Sequence, residues 1–384
     1  MTSTSSQSAT RGVSTPGVST PGVSTRGVST RGVSTRGTKN LLVVSGGGAR
    51  GAWGVGLANY LDETGKRYHA VVGTSTGSLM APFILLRQFD ELNRAYTSVR
   101  QRDIFNVNPF RADGGIRPLN ALWRLLTGAE TLGESEPLRG LIGRFMSWAD
   151  YAQIRAAGLD FAVAVANHRT HRVEYRFASR VPDYKEMVNW MWASANEPVF
   201  MSLFKTPNPD GTTDYWVDGG VRENVPVVQG LKLALADPAY EAVDVIVNNL
   251  PVSDDPTARW PPNGKVTILN SLFRTLLTYR NGVRDANVRL GRLMNRLGEI
   301  ADPALTTETA ERPLTLTFYF MPDRLYRLIA NELLFDPATM TTLLNAGRAG
   351  EFVRQPGLEA LTAAASGTHS FTLSRAALQA VLNE

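Results

Sequence analysis

The chain has no cysteine. No disulfide and no thiolate zinc site can form, although the absence fixes no compartment. Histidine is scarce: His69, His168, His171 and His369 are the whole supply among 384 residues. Long apolar runs are missing as well. LMAPFILL (79–86) is among the longest, well short of the roughly 20 residues that span a bilayer. The first residues, MTSTSSQSATRG, lack the apolar centre of a secretory signal. The expected location is cytoplasmic or peripheral to a membrane. Acidic residues are absent from 1–37, where Arg11, Arg26, Arg31 and Arg36 supply four of the chain's five net positive charges. Residues 38–384 are nearly neutral, so no nucleic-acid partner is expected.

Residues 12–36 are five pentapeptides, GVSTP twice and GVSTR three times. With one small apolar residue per copy, they bury too little surface to offset the entropy of ordering. Residues 1–37 are expected to be a disordered tail. A linker drifted by repeat slippage is the plain reading; a weak arginine tether to an anionic surface is the other.

Structure is expected to begin at once after the tail. Asn40–Ser45 reads as a buried strand, GGGARG (46–51) as a glycine turn, and Ala52–Leu61 as a helix. Tyr68–Val72 is a second strand, GTSTG (73–77) a second turn and Ser78–Phe89 a second helix. Two strand–turn–helix units in succession argue for an α/β fold with a parallel sheet. Leu159–Ala166, Ala242–Asn248 and Leu314–Phe320 are further buried strands. Helical patterns cover Leu119–Leu126, Ser271–Ile300 and Met340–Val353. The last stretch, 356–384, reads as an appended segment.

Gly46, Gly48 and Gly51 fit G-x-G-x-x-G, the dinucleotide fingerprint. A dinucleotide site wants an acidic residue at the end of the second strand, where this chain has Gly73-Thr74-Ser75. A nucleotide-binding module is therefore the alternative rather than the leading reading. The same turn suits an oxyanion hole, because successive glycines expose backbone N–H groups at a helix N-terminus. Arg50 either reinforces that field or makes a surface ion pair.

GTSTG has the G-x-S-x-G form of a nucleophile elbow, with Gly73 and Gly77 leaving room around Ser75. A nucleophilic serine needs a base. In the usual Ser…Asp…His order His369 is the only histidine near the C-terminus, in a polar turn, SGTHSFTL. His168 and His171 flank a turn without an evident third ligand, so neither a metal nor any other cofactor is expected. His69 begins a buried strand. Asp218, in YWVDGGVRENVP, follows an apolar stretch and precedes Gly219 and Gly220. A carboxylate so placed on a close-packed turn can meet another backbone.

With GGGARG (46–51), GTSTG (73–77) and DGG (218–220) in this order, the chain resembles the patatin-like phospholipase family. ASANEPVF (193–200) resembles the segment before the family's aspartate, and VRENVP suits the segment after it. The motifs span residues 38–250; by fold the domain is expected over 38–355. The resemblance implies a three-layer α/β fold with helices on both faces of a mainly parallel sheet. It implies Ser75 as nucleophile and Asp218 as base, with no histidine. The oxyanion hole maps to Gly46, Gly47 and Gly48, with Arg50 and Gly51 completing the loop. The implied substrate is a phospholipid or other lipid ester; a Ser-His-Asp esterase using His369 is the alternative.

Three further segments bear on lipid. Leu119–Leu126 is amphipathic and reads either as an interfacial helix or lid, or as an ordinary surface helix with its apolar side buried. Trp190 and Trp192 either line an acyl pocket or pack in the core. Residues 271–300 carry six arginines (274, 280, 284, 289, 292, 296) against Asp285 and Glu299. That helix faces either solvent or an anionic lipid surface, a peripheral membrane contact in the second case.

Overall fold

Leu42 and Val44 lie in one buried cluster, while Leu41 and Val43 lie in a second. Strand side chains alternate between faces. A strand apolar at every position thus needs cover on both sides, as parallel strands do. The computed structural model describes residues 38–248, 293, 296–297, 300–301, 313–329, 331–353 and 370–383. The expected tail (1–37), nearly all of the arginine-rich helix (271–300) and His369 lie outside them.

The strands are β1 (Lys39–Val44), β2 (Ala70–Thr74), β3 (Asp160–Asn167), β4 (Arg172–Phe177), β5 (Phe204–Pro207), β6 (Thr213–Asp218), β7 (Tyr240–Val247), β8 (Leu314–Phe320) and β9 (Ser370–Leu373). Among the described residues they form one nine-stranded sheet in the order β5-β6-β3-β2-β1-β7-β8-β9, with β4 also on β3. The run β3-β2-β1-β7-β8 is parallel. Strands β4, β5, β6 and β9 pair antiparallel. Within the stretch expected as an appended segment, 370–373 forms this last edge strand.

One face of the sheet carries α1 (Gly51–Glu63), α2 (Thr76–Leu86), α3 (Phe89–Ser98), α4 (Gln101–Ile104), α5 (Pro118–Leu126), α6 (Glu136–Phe145), α7 (Trp148–Ala156) and α8 (Tyr184–Ser194). The other carries α9 (Val227–Ala236). Two later helices, α10 (Asp323–Tyr326) and α11 (Pro337–Arg348), return to the first face, and α12 (Arg375–Asn383) joins α9. The result is a three-layer α/β sandwich. Helix α11 begins and ends earlier than its apolar pattern predicts. Asp336 caps it by accepting from Thr339 N–H (2.9 Å), Pro337 takes the first turn, and Gly350 at φ +73° follows its end. Val353 instead bridges to Phe320.

The topology does one thing that no local pattern predicts. Residues 162–164 of β3 pair with β2 on one edge and β4 on the other. Residues 165–167 pair with β4 and β6. Strands β2 and β6 therefore share one edge of β3 and run toward each other, ending opposite Ala164 and Val165.

Candidate active site

At that junction sits Ser75. Strand β2 continues through Thr74, two residues past the expected strand end, and α2 starts at Thr76. The reversal is packed into one residue, so Ser75 adopts φ 54°, ψ −126°, a conformation that costs a non-glycine residue about 1–3 kcal/mol. Its surroundings hold it there. Ser75 O accepts from Ser78 N–H (2.9 Å) and Ser78 Oγ (2.6 Å). Ser75 N–H donates to Ser194 Oγ (3.1 Å), which donates to Ala164 O (2.6 Å). The flanking glycines are required by close approach. A Cβ on Gly73 would lie 2.4 Å from Gly77 C, and one on Gly77 would lie 2.3 Å from Val44 O.

Asp218 ends β6 and lies beside Ser75, lining the same cavity. Asp218 N–H donates to Asn196 O (2.9 Å), and Gly220 N–H donates to Asp218 Oδ1 (2.7 Å). A Cβ on Gly219 would sit 2.7 Å from Ala164 O, so the DGG turn lies directly on β3. Asp218 is 3% exposed. Burial pushes its pKa up from 3.8 to about 7; the neighbouring Ser75 side chain and the Gly220 N–H restrain the rise, and the Glu332 charge adds to it.

The glycine loop faces this pair across a cavity. Gly47 and Gly48 line it with Ser75, Asp218, Gly220 and Asn224. Gly46 N–H is committed to Asn224 O (3.0 Å), and Ala49 N–H to Glu332 O (2.8 Å). Gly48, at φ +52°, lies so close to Glu332 O that a Cβ would be 2.3 Å from it. The Arg50 side chain turns away from the cavity. It stacks on Tyr326 at 3.9 Å and donates to Glu332 Oε2 (3.0 Å) and Ile329 O (2.7 Å). Gly51 brings α1 against Thr76 and Met80 of α2. Arg50 and Gly51 thus hold the loop from behind.

Beyond Ser75 the cavity is apolar. Leu79 and Phe83 of α2, Leu92 and Tyr96 of α3, Leu138, Leu141, Ile142 and Phe145 of α6 and Met191 of α8 line it. Trp190 and Trp192 do not. Trp190 packs edge-on against Phe204 and Trp216 (5.0 and 5.1 Å), and Trp192 Nε1 donates to Ser135 O (3.0 Å). Of the core and acyl-pocket readings, the core one holds, and the intervening Met191 takes the pocket position.

Three residues not singled out in the sequence belong to this site. Ser194 anchors the elbow. Glu332 covers the glycine loop and lines the cavity. Asn224, 4% exposed, leaves Nδ2 without a hydrogen-bond partner in the cavity wall. The described histidines stand elsewhere. His69 Nδ1 accepts from Asn40 N–H, and His168 and His171 lie at the β3–β4 turn. Burial lowers the pKa of both His69 and His168. Among the described residues no group of three His, Cys, Asp or Glu side chains is placed to hold a metal.

The family model described as patatin-like phospholipase matches residues 42–231, which contain Ser75, Asp218 and both glycine turns. No curated protein matches the chain significantly. Among solved structures, VipD from Legionella pneumophila aligns at 15% identity over 81% of this chain and 67% of that one, with a TM-score of 0.36. On the family match, residues 42–231 are a patatin-like phospholipase domain, of a family of lipid acyl hydrolases.

Proposed function

We propose that this chain hydrolyses lipid acyl esters, phospholipids among them, with Ser75 as nucleophile and Asp218 as its only base. The observation that carries the reading is the juxtaposition of the strained Ser75 and the buried Asp218 carboxylate in the wall of one largely apolar cavity. An ordinary aspartate is far too acidic to take a serine proton efficiently. Burial raises Asp218 to about 7, the range in which a general base works at neutral pH.

Ser75 Oγ attacks the ester carbonyl as its proton passes to Asp218. The developing oxyanion meets the N–H groups of Gly47 and Gly48, the cavity-lining glycines whose amides make no internal hydrogen bond. Collapse expels the alcohol, which takes the proton from Asp218. Water, deprotonated by Asp218, then releases the fatty acid from Ser75. The apolar lining accommodates the acyl chain.

The nucleotide reading fits poorly, because the Asp218 and Glu332 carboxylates line the cavity that the glycine loop opens on and would repel a pyrophosphate. A fluorophosphonate probe tests the proposal. Ser75 should become covalently labelled, and Ser75→Ala should lose both labelling and ester turnover while keeping its circular dichroism. Turnover that survives in Ser75→Ala overturns it.

A further inference from the structure

Helix α5 is mounted inside out. Surface helices normally turn their apolar stripe to the core. Here Leu119 is 82% exposed, Leu122 50%, Trp123 67%, Leu125 54% and Leu126 75%. The sides facing the protein carry Ala121, which is buried, and Asn120 and Arg124, which are half-buried. Arg124 holds the helix in this orientation, donating to Thr131 O and pairing with Glu134 (3.0 Å). The expectation of an ordinary surface helix with a buried apolar side is therefore corrected: the local polar contacts are satisfied, and five large apolar side chains face outward.

The helix is tied at both flanks to the rim of the catalytic cavity. On the N-terminal side, Asn331 Nδ2 donates to Gly114 O (3.0 Å), and Asn331 adjoins Glu332 and Leu333, which line the cavity. On the C-terminal side, Leu132 N–H donates to Val199 O (2.7 Å), in the loop whose Glu197 and Met201 line it as well. So α5 is the tip of an excursion between two cavity-lining loops.

We infer that α5 is a membrane-docking element that lies in the plane of a phospholipid surface and sets the cavity mouth against it. Leucines with a tryptophan on one face and arginine beside them are the composition that settles at the boundary of headgroups and acyl chains. Charge selects lipid over a second copy of the chain. Residues 114–129 contain Arg117 and Arg124 and no acidic residue. Exposed Arg117 complements a lipid phosphate, whereas a self-paired interface would bring together two copies of the same segment that has no acidic residue to offset its arginines. The inference rests on the lipid-ester reading for its purpose but not for its test.

The test uses the full chain and its Leu122→Ser/Trp123→Ala/Leu126→Ser variant. These side chains are exposed, so the variant should fold, as circular dichroism would verify. Vesicles of phosphatidylcholine with phosphatidylglycerol are sedimented with each protein, and turnover is read on those vesicles and on a soluble short-chain ester. Vesicle affinity and vesicle turnover should each fall at least about tenfold, while soluble-ester turnover stays within about twofold. Equal vesicle binding by the two proteins overturns the inference. So does a wild-type dimer in light scattering that the variant abolishes without vesicle binding by either. Vesicle binding lost in the variant, with no ester turnover by either protein, would uphold the docking role and refute the hydrolase reading instead.

Discussion

Ser75 and Asp218 meet because the strands that precede them, β2 and β6, run head to head along one edge of β3. Thr74 ends opposite Ala164 and Asp218 opposite Val165, adjacent residues of a single strand. The spacing of Ser75 and Asp218 is thus set by one peptide unit of a central strand rather than by a flexible loop. That is the rigidity a proton transfer needs.

The junction is sensitive to a single methyl group. Gly219 lies on the Ala164 carbonyl with no room for a Cβ. Gly219→Ala should push the DGG turn off β3 and carry Asp218 with it. Turnover should fall by about 100-fold or more, with a loss of about 1–3 kcal/mol in thermal or denaturant unfolding. Wild-type turnover in this variant would mean that Asp218 is not held by that contact.

Asp218→Asn keeps the shape of the side chain but removes the proton acceptor, so turnover should drop by about 100- to 10,000-fold. His168→Ala, His171→Ala and His369→Ala should each leave turnover nearly unchanged. The same substitution has a stability signature. The folded-state pKa of Asp218, about 7, lies above its ordinary 3.8. Its contribution to stability is therefore full below about pH 4 and is lost as pH rises to about 7. Asp218→Asn should be flat over that window and, above pH 7, gain on the wild type by an amount on the order of a few kcal/mol. Denaturant midpoints between pH 4 and 8 would show it.

The parts of this site that are legible in the sequence are those whose geometry is local. Gly73, Ser75 and Gly77 form one turn, and Asp218 to Gly220 another, so spacing reveals each. Their meeting depends on strand order, and β6 carries no pattern that assigns it to the edge β2 occupies. Helix α5 is legible as amphipathic, but periodicity states only that two faces differ. Which face points inward is settled by Arg124 reaching Thr131 and Glu134. Helical phase misleads in the same way at Trp190 and Trp192, since Met191 between them is equally apolar. Asn224 lies within VRENVP, but nothing in that segment shows that it reaches the glycine loop; Glu332 carries no local signal, because it acts on a loop far away in the chain.

Glu332 bears on the chemistry through its charge. It stands beside the glycine loop and raises the pKa of Asp218. Attack requires ionised Asp218, so kcat/KM should rise with pH and level off above about 7. Glu332→Gln retains an oxygen to accept from Arg50 but removes the charge. The acidic limb of the profile should move to lower pH, with the plateau little changed. A collapse of the plateau at an unmoved midpoint would give Glu332 a structural role only.

Asn224 presents a sharper case. Its Nδ2 is buried without a partner, a state that costs about 1–3 kcal/mol in the free enzyme. The residue lines the cavity with Gly47, Gly48 and Ser75, where, in the proposed mechanism, an ester oxygen acquires charge during attack. A donor left unsatisfied there costs stability in the resting state and returns it in the transition state. Asn224→Ala should therefore lower kcat by about 100-fold or more, the scale of one oxyanion donor, with little change in KM. Asn224→Asp should be worse than alanine, because it replaces a donor with a second negative charge near Asp218. Unfolding of Asn224→Ala should show at most a small loss, since the Gly46 contact is made by the backbone carbonyl and survives the substitution. A rise in KM at unchanged kcat would place Asn224 in ground-state binding instead.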